Sequence, residues 1–578
     1  MRIVRIALAQ VNTTVGDLEG NAALVLRGIA AAREVKADLV VFPELTLTGY
    51  PPEDLVLRRQ FIDDNLKVLK EVVRKIRGVA AVVGFIDRGD GLHNAAAFVY
   101  GGRIVARHHK IFLPNYGVFD ENRYFQPGKR ANTVVLNGTT IGVNICEDIW
   151  YPQGPTLSQA LVGDAEVIVN ISASPYHRGK LRLREEMLAT RAMDNQVIIA
   201  YTNAIGGQDE LVFDGNSLVL DHQGRTVARG RAFEEDLVLA DVDPDAVVRA
   251  RQHDSRRNRE RMKLRRQGGR IDRIVVSSTY RTRHRRPVHG SMPAVPGPLE
   301  EVYRALVLGI GDYVRKNAFS KVVLGLSGGI DSALTAVLAV DALGASNVIA
   351  AFMPSVHTSR ESKEDSEAMV RSLSIRLLTI PITPMFDAYR RALAPVFKKR
   401  PADIAEENLQ SRIRGMLLMA LSNKFGWMVL TTGNKSEMSV GYATLYGDMA
   451  GGFAAIKDLP KTLVYEITRW RNARSHEAVI PKRVFERAPT AELRPRQTDQ
   501  DSLPPYDILD PIIRGYIEED QSTTDLVASG FDPSTVKHVL TLVDRSEYKR
   551  RQSPPGVKIT HRALGKDRRM PITNHYRG

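Results

Sequence analysis

Gly325-Leu326-Ser327-Gly328-Gly329-Ile330-Asp331-Ser332 is the stretch on which the reading of the fold turns. Residues 321–325 before it read as a buried parallel strand. Residues 332–343 after it are rich in Ala, Leu and Val and predict a helix. A Ser/Gly-rich turn between strand and helix is a phosphate cradle. Its glycines let backbone approach a ligand, and unpaired N–H groups at the helix start point at the anion. No Gly-Lys-Ser/Thr follows, which excludes a Walker A loop. The glycine spacing also excludes the dinucleotide-binding Gly-x-Gly-x-x-Gly turn.

Outward from the loop, the back half alternates helices at 299–316, 361–373 and 404–425 with strands at 348–353, 377–380 and 427–430. Ser359 is placed to cap the second helix. This alternation predicts a doubly wound parallel sheet with ligands at the strand C-terminal ends. After the last strand, Thr432 can meet an adenine or ribose. Glu437 can reach Mg2+ together with Asp331, since two carboxylates with phosphate oxygens and water suit a hard octahedral cation.

A chain of 578 residues is too long for one core, so at least two domains are expected. Hydrophobic residues make up 43% and charged residues 25%, as in an ordinary soluble protein, and no apolar run is long enough to span a bilayer. The N-terminal residues read as a first strand rather than a leader. A single cysteine excludes intramolecular disulfides and multi-cysteine metal sites, and a cytoplasmic enzyme is the simple reading. The net charge of +15 is concentrated: residues 249–290 hold 15 Lys and Arg against three Asp and Glu, and residues 545–578 hold ten against two. The rest of the chain is mildly acidic, which argues against a nucleic-acid surface over the whole protein.

The front half, to about residue 244, predicts strands at 4–9, 39–42, 80–85, 95–100, 141–145, 167–171, 197–201 and 217–220, with helices at 21–36, 61–77 and 180–195. Most strands are apolar throughout, as in a sheet covered on both faces. Three strand ends carry chemistry. Glu44 follows the second strand, Lys110 ends Arg107-His108-His109-Lys110, and Cys146 ends Asn144-Ile145-Cys146. A thiol nucleophile needs a base for its proton and a cation for the oxyanion, and Glu and Lys supply both. Residues 249–298 read as a basic, flexible linker, with 251–266 either a short helix or disordered and 289–298 extended.

These motifs carry two resemblances. Glu44, Lys110 and Cys146, in that order, resemble the nitrilase (carbon–nitrogen hydrolase) superfamily, which implies an α-β-β-α sandwich over residues 1–248. By that resemblance Cys146 attacks an amide, Glu44 is base and then acid, and Lys110 with the Glu147 N–H holds the oxyanion. Glu121 supports the lysine, and Tyr116, Ser174 and Lys180 surround a glutamine. The loop Gly325, Leu326, Ser327, Gly328, Gly329, Ile330, Asp331, Ser332 resembles that of the ATP pyrophosphatases. Together with Thr432-Gly433-Asn434-Lys435-Ser436-Glu437, Gly447-Asp448, Lys457 to Lys461 and Tyr548-Lys549-Arg550-Arg551, it resembles the NAD synthetases over residues 299–578.

A nitrilase-like domain in front is the layout of the glutamine-dependent NAD synthetase family. The resemblance implies amidation of deamido-NAD by way of an adenylate, with ATP and Mg2+ and with ammonia passed from glutamine through a closed route. It assigns ATP to the loop and Thr432, deamido-NAD to Asn408, Glu437, Lys461 and Lys549, Mg2+ to Asp331 and Glu437, and ATP phosphates to Thr490. The cations of residues 545–578 are expected near the substrate, and a homo-oligomer is implied. The nearest alternative is another glutamine-dependent ATP-pyrophosphatase amidotransferase acting on a different carboxylate or nucleotide. A nucleic-acid-binding role for 249–290 would need steeply salt-dependent retention.

Overall fold

The structure, a computed structural model, describes residues 1–266, 270–398, 400–475 and 477–576. It divides into two compact units. Residues 1–208 with 212–296 form the first, and residues 209–211 with the chain from 297 onward form the second.

The first unit holds two sheets. One has six strands in the order Asp236–Val242, Val4–Gln10, Leu39–Val41, Ala80–Arg88, Leu92–Tyr100, Arg103–His109. The other has seven, in the order Thr226–Arg229, Leu218–Leu220, Ile198–Asn203, Val167–Ser172, Thr139–Ile145, Asn132–Leu136, Asp272–Val275. Side chains alternate between two cores. Ile6, Leu8, Val41, Val82 and Phe98 of the first sheet pack against Val134, Val143, Val169 and Ala200 of the second. The opposite face of the first sheet, with Ala7, Val40, Val83 and Phe85, packs on helices Leu18–Glu34 and Arg59–Lys75. Ile168, Ile199 and Leu218 of the second sheet pack on Ala160, Leu188 and Ala192 of helices Pro155–Leu161 and Lys180–Asn195. This is an α-β-β-α sandwich, and burial on both faces explains the unbroken apolar runs. The first helix starts at Leu18 rather than at the expected residue 21, because Asp17 caps it; Asn21 is buried, bonded to Thr14 and to the Leu47 carbonyl.

The stretch 249–298, read from its charge as a flexible linker, is built onto the first unit as far as residue 296 over its described part; residues 267–269 lie outside the described residues. Helix Ser255–Arg266 forms and buries no side chain, but Arg261 reaches Asp164 at 2.8 Å. Strand Asp272–Val275 pairs in parallel with Asn132–Leu136. Farther on, the Tyr280 hydroxyl accepts the Ile3 N–H at 3.1 Å, Arg285 pairs with buried Asp38 at 2.7 Å, and the Val288 N–H donates to Asp241 at 2.9 Å. The correction has a simple cause. These arginines have carboxylate partners 97 and 247 residues away, which a local charge count does not see.

The second unit is built on a five-stranded sheet in the order Arg376–Thr379, Val348–Phe352, Val322–Gly325, Met428–Thr431, Phe453–Ala454, and every pairing is parallel. Helix Ile330–Leu343 lies buried after the central strand, and Ser359 caps helix Arg360–Leu373 as its position predicts. Helix Thr383–Phe397 was not expected, because Pro395 interrupts its pattern. Near the C-terminus, helices Tyr506–Glu518 and Pro533–Arg545 bury Leu509, Ile512, Val536 and Val539 against Met438 and Val440. The tail's cations are largely internal. Arg550 pairs with Glu547 at 2.8 Å, Arg568 with Glu547 at 2.5 Å and Lys558 with Asp567 at 2.5 Å, all buried or nearly so. They are therefore not the free cations that the net charge suggested, although Lys549 does line a cleft.

Candidate active sites

The first unit gathers its candidate residues at the ends of strands. Glu44 lies in the turn after Leu39–Val41, with 2% of its surface exposed. The turn can sit there because the neighbouring strand carries Gly84, whose absent Cβ would meet the Leu45 nitrogen at 2.4 Å. Lys110 follows Arg103–His109, and its ammonium donates to Glu44 Oε1 and Glu121 Oε1, both at 2.7 Å. Glu44 is fixed further by Asn94 Nδ2 at 2.7 Å on Oε1 and by the Ala173 N–H at 3.0 Å on Oε2. The Tyr50 hydroxyl donates to Glu121 Oε1 at 2.9 Å.

Cys146 ends strand Thr139–Ile145 and opens a short turn with φ of 42°, a left-handed conformation that a side chain rarely adopts. It is 4% exposed. Burial and the Glu44 charge push its thiol well up, while the Lys110 charge draws it down. Both groups therefore lie within electrostatic reach of the thiol. Burial pushes the Glu121 carboxyl up to about 7, with Lys110 opposing and Glu44 adding to the rise.

Of the residues expected around glutamine, Tyr116 donates its hydroxyl to Glu147 Oε2 at 3.0 Å. The Lys180 ammonium stands 5.0 Å from the centre of the Trp150 ring and is pushed down by burial and by Arg184. Ser174 is buried, its N–H donating to Asn203 Oδ1 at 2.9 Å. The sequence reading missed the Glu147 side chain, a 6% exposed carboxylate beside the thiol that burial pushes up. Its place directly after Cys146 was the available signal. It also missed Asn94 and Tyr50, whose roles depend on which strands pair.

In the second unit, one cleft of about 400 Å³ collects the remaining candidates: all of Gly325 to Ser332, with Asn408, Thr432, Glu437, Lys461, Thr490 and Lys549. The loop is held by its own hydroxyls. Ser332 Oγ accepts the Ser327 N–H at 3.2 Å and donates to the Gly329 carbonyl at 3.0 Å. Gly328, at φ 79°, runs so close to Ser362 that a Cβ would meet that carbonyl oxygen at 2.7 Å.

Asn434 Nδ2 donates to Asp331 Oδ1 at 3.0 Å, and the Lys461 ammonium bridges Asp331 Oδ2 at 2.5 Å and Glu437 Oε1 at 3.1 Å. Burial and the charges of Asp331 and Asp499 push Glu437 up to about 8, against the pull of Lys461. The Lys549 ammonium donates to the Gly441 and Ala443 carbonyls at 2.8 and 2.9 Å, and Asn408 accepts the Thr444 hydroxyl at 2.7 Å. Arg414 also lines the cleft and was not anticipated; burial pushes its guanidinium down to about 10.

Comparison with known proteins bears on both units. Residues 5–252 match the family model for carbon-nitrogen hydrolases, and residues 302–553 that for NAD synthase. A glutamine-dependent NAD(+) synthetase of Thermotoga maritima is 50% identical over the whole of both chains. One of Aquifex aeolicus is 46% identical over 99% of this chain and all of its own. Among solved structures, the glutamine-dependent NAD+ synthetase of Acinetobacter baumannii in complex with ADP is 39% identical, covers 99% of each chain and superposes with a TM-score of 0.75.

Proposed function

The chain belongs to the glutamine-dependent NAD(+) synthetases, and from that premise we propose how its residues divide the work. It is a carbon–nitrogen ligase that makes NAD+ with nitrogen taken from glutamine. The substrates are ATP, deamido-NAD+ and glutamine.

In the first unit Glu44 takes the Cys146 proton and the thiolate attacks the glutamine amide carbon. Lys110 holds the oxyanion, and Glu44 returns the proton to the departing ammonia. Water then releases glutamate from the thioester. Glu147, turned towards Tyr116 and Lys180, supplies a negative charge for the α-ammonium of glutamine. The Lys180 ammonium suits the α-carboxylate, with Ser174 shaping the pocket.

In the second unit the deamido-NAD+ carboxylate attacks the α-phosphorus of ATP and pyrophosphate leaves. Ammonia then displaces AMP from the adenylate. The Ser327 to Ser332 turn cradles the phosphates, Thr432 faces the adenosine, and Thr490 adds a hydroxyl on the phosphate side. Asn408, Lys461 and Lys549 line the dinucleotide side.

A Mg2+ ion fits this donor set. Asp331 and Glu437 are hard oxygen donors, and their shared contact with the Lys461 ammonium marks a place suited to a cation. No group of three His, Cys, Asp or Glu among the described residues makes a metal site by itself, so phosphate oxygens would complete the coordination. When bound, the ion supplies positive charge to the leaving pyrophosphate.

The observation that carries this reading is the Lys110 ammonium bonded at 2.7 Å to two buried carboxylates beside Cys146, in the same chain as the Gly325 to Ser332 cleft. A product assay tests it. AMP, NAD+ and glutamate should form in equal amounts from glutamine and deamido-NAD+. Turnover with xanthosine monophosphate or aspartate in place of deamido-NAD+ would sink it.

A pH dependence follows from Glu121. Protonation near pH 7 removes one of the two carboxylates holding Lys110, so glutamine hydrolysis is expected to fall as pH drops through about 7. In Glu121→Gln that acid limb should vanish and the rate stay roughly 10²-fold low at all pH values. The same shift acts on stability. The folded chain keeps this proton to a higher pH than the unfolded one, so the contribution favours folding at low pH and is lost as pH rises from 4.5 to about 7.

Helix Ile404–Phe425 exposes Ile404, Met416 and Phe425, which supports pairing of synthetase units in a homo-oligomer. No helix among the described residues is long and apolar enough to cross a membrane. The lone free thiol suits the reducing cytoplasm.

A further inference from the structure

The turns that carry Lys110 and Cys146 are tied together by one side chain, the Asp148 carboxylate. It is fully buried, at 0% exposure. Its Oδ1 accepts the N–H groups of Ile111 at 2.9 Å and Phe112 at 3.0 Å, the two residues after Lys110. Its Oδ2 accepts the Ile145 N–H at 3.0 Å, directly before Cys146, and faces His108 Nε2 at 3.1 Å. His108 Nδ1 finds no partner among the described residues, so Nε2 is the nitrogen that presents its proton to Asp148. A carboxylate offers about four acceptor positions, and here all are filled by backbone or side chain flanking the two turns.

The need for such a clamp is visible at both ends. Cys146 sits at φ 42°, a conformation that persists only where its surroundings over-determine it. The bond from the Ile145 N–H to Asp148 closes the turn across it. On the other side, the Lys110 N–H is bonded to the Asn94 carbonyl at 2.8 Å, which fixes the residue to its own sheet. Asp148 is what joins that segment to the turn bearing the thiol, which belongs to the other sheet.

We propose that Asp148 is a positioning residue for glutamine hydrolysis, setting the Lys110 ammonium and the Cys146 thiol in one frame without touching substrate. An uncharged isostere does not replace it. The amide of an asparagine has one accepting oxygen, and its NH2 must face either the Ile145 N–H or the N–H groups of Ile111 and Phe112. A displacement of about 1 Å between reacting groups costs roughly 10²-fold in rate.

The single cysteine makes the test specific, because iodoacetamide on the whole enzyme reads only Cys146. In Asp148→Asn, alkylation at neutral pH is expected to slow by roughly ten-fold or more, with its pH profile moved upward. Glutamine-dependent kcat should fall by about 10²-fold while KM for glutamine stays within about three-fold, and ammonia-dependent synthesis should be unchanged. A merely structural role predicts the opposite sign for the label: a loosened turn would expose the thiol and speed its alkylation. His108→Phe keeps a ring in place and removes one donor of four, so it should show the same slowing in smaller size and guards against misfolding of the first variant. Alkylation at or above the wild-type rate in a folded variant, or glutamine-dependent kcat within two-fold of wild type in Asp148→Asn, overturns the proposal.

Discussion

Cys146→Ala is expected to lower glutamine-dependent NAD+ synthesis by roughly 10⁴-fold or more and to leave ammonia-dependent synthesis at its original rate. The asymmetry follows from where the atoms are. Cys146 Sγ is the only thiol in the chain, and Glu44 and Lys110 are bonded into one network with Asn94 and Glu121 in the first unit. Without the sulfur there is no thioester, and water alone is a poor substitute for an aligned nucleophile. The backbone should tolerate the change. Alanine and cysteine both carry a Cβ, so the strain at φ 42° is the same before and after. The residues lining the synthetase cleft all come from the second unit, and supplying ammonia at high pH bypasses the first. Parallel assays of NAD+ with each nitrogen donor check this. Equal loss of both activities would mean that the two chemistries are not separable.

The second large effect has the complementary pattern. Asp331→Asn should cut synthesis by roughly 10²- to 10³-fold with either donor while glutamine hydrolysis persists. The substitution keeps the shape of the side chain but removes its charge. The Lys461 ammonium, now 2.5 Å from Asp331 and 3.1 Å from Glu437, would be left with one carboxylate, and a bound nucleotide would lose an anionic partner for its cation. The change acts where charge develops on the departing pyrophosphate, so kcat falls more than the affinity for deamido-NAD+. A full ammonia-dependent rate in this variant would remove Asp331 from the site.

What the sequence made legible was whatever is local. The Gly325 to Ser332 turn announces itself because strand, turn and helix are contiguous, and its glycines and serines have a steric and hydrogen-bonding reason to be there. Glu44 and Cys146 were visible because each ends an apolar strand, and Lys110 because its motif stands between theirs in the order a Glu-Lys-Cys triad requires. Asn94, Tyr50 and Asp148 were not, since their value lies in meeting residues 27 to 71 positions away once the strands pair. Strand Arg103–His109 was hidden by its charged alternation, RIVARHH, which looks like a surface segment although it carries Lys110 at its end. The arginines after residue 249 misled for the same reason in reverse. A run of like charges looks solvated until its partners, Asp38 and Asp164, arrive from elsewhere in the chain.

Strand Asp272–Val275 has a bearing on how the two activities can be separated physically. The match to the hydrolase family stops at residue 252, which invites cutting there. A fragment trimmed at that point would bare the unpaired backbone of Asn132–Leu136 along its length and strip Asp38 of its two arginines, Arg283 and Arg285, leaving a sticky rim of the kind that recruits strands from other molecules. The natural severing point is after Pro296, where the wrapping segment has finished its course.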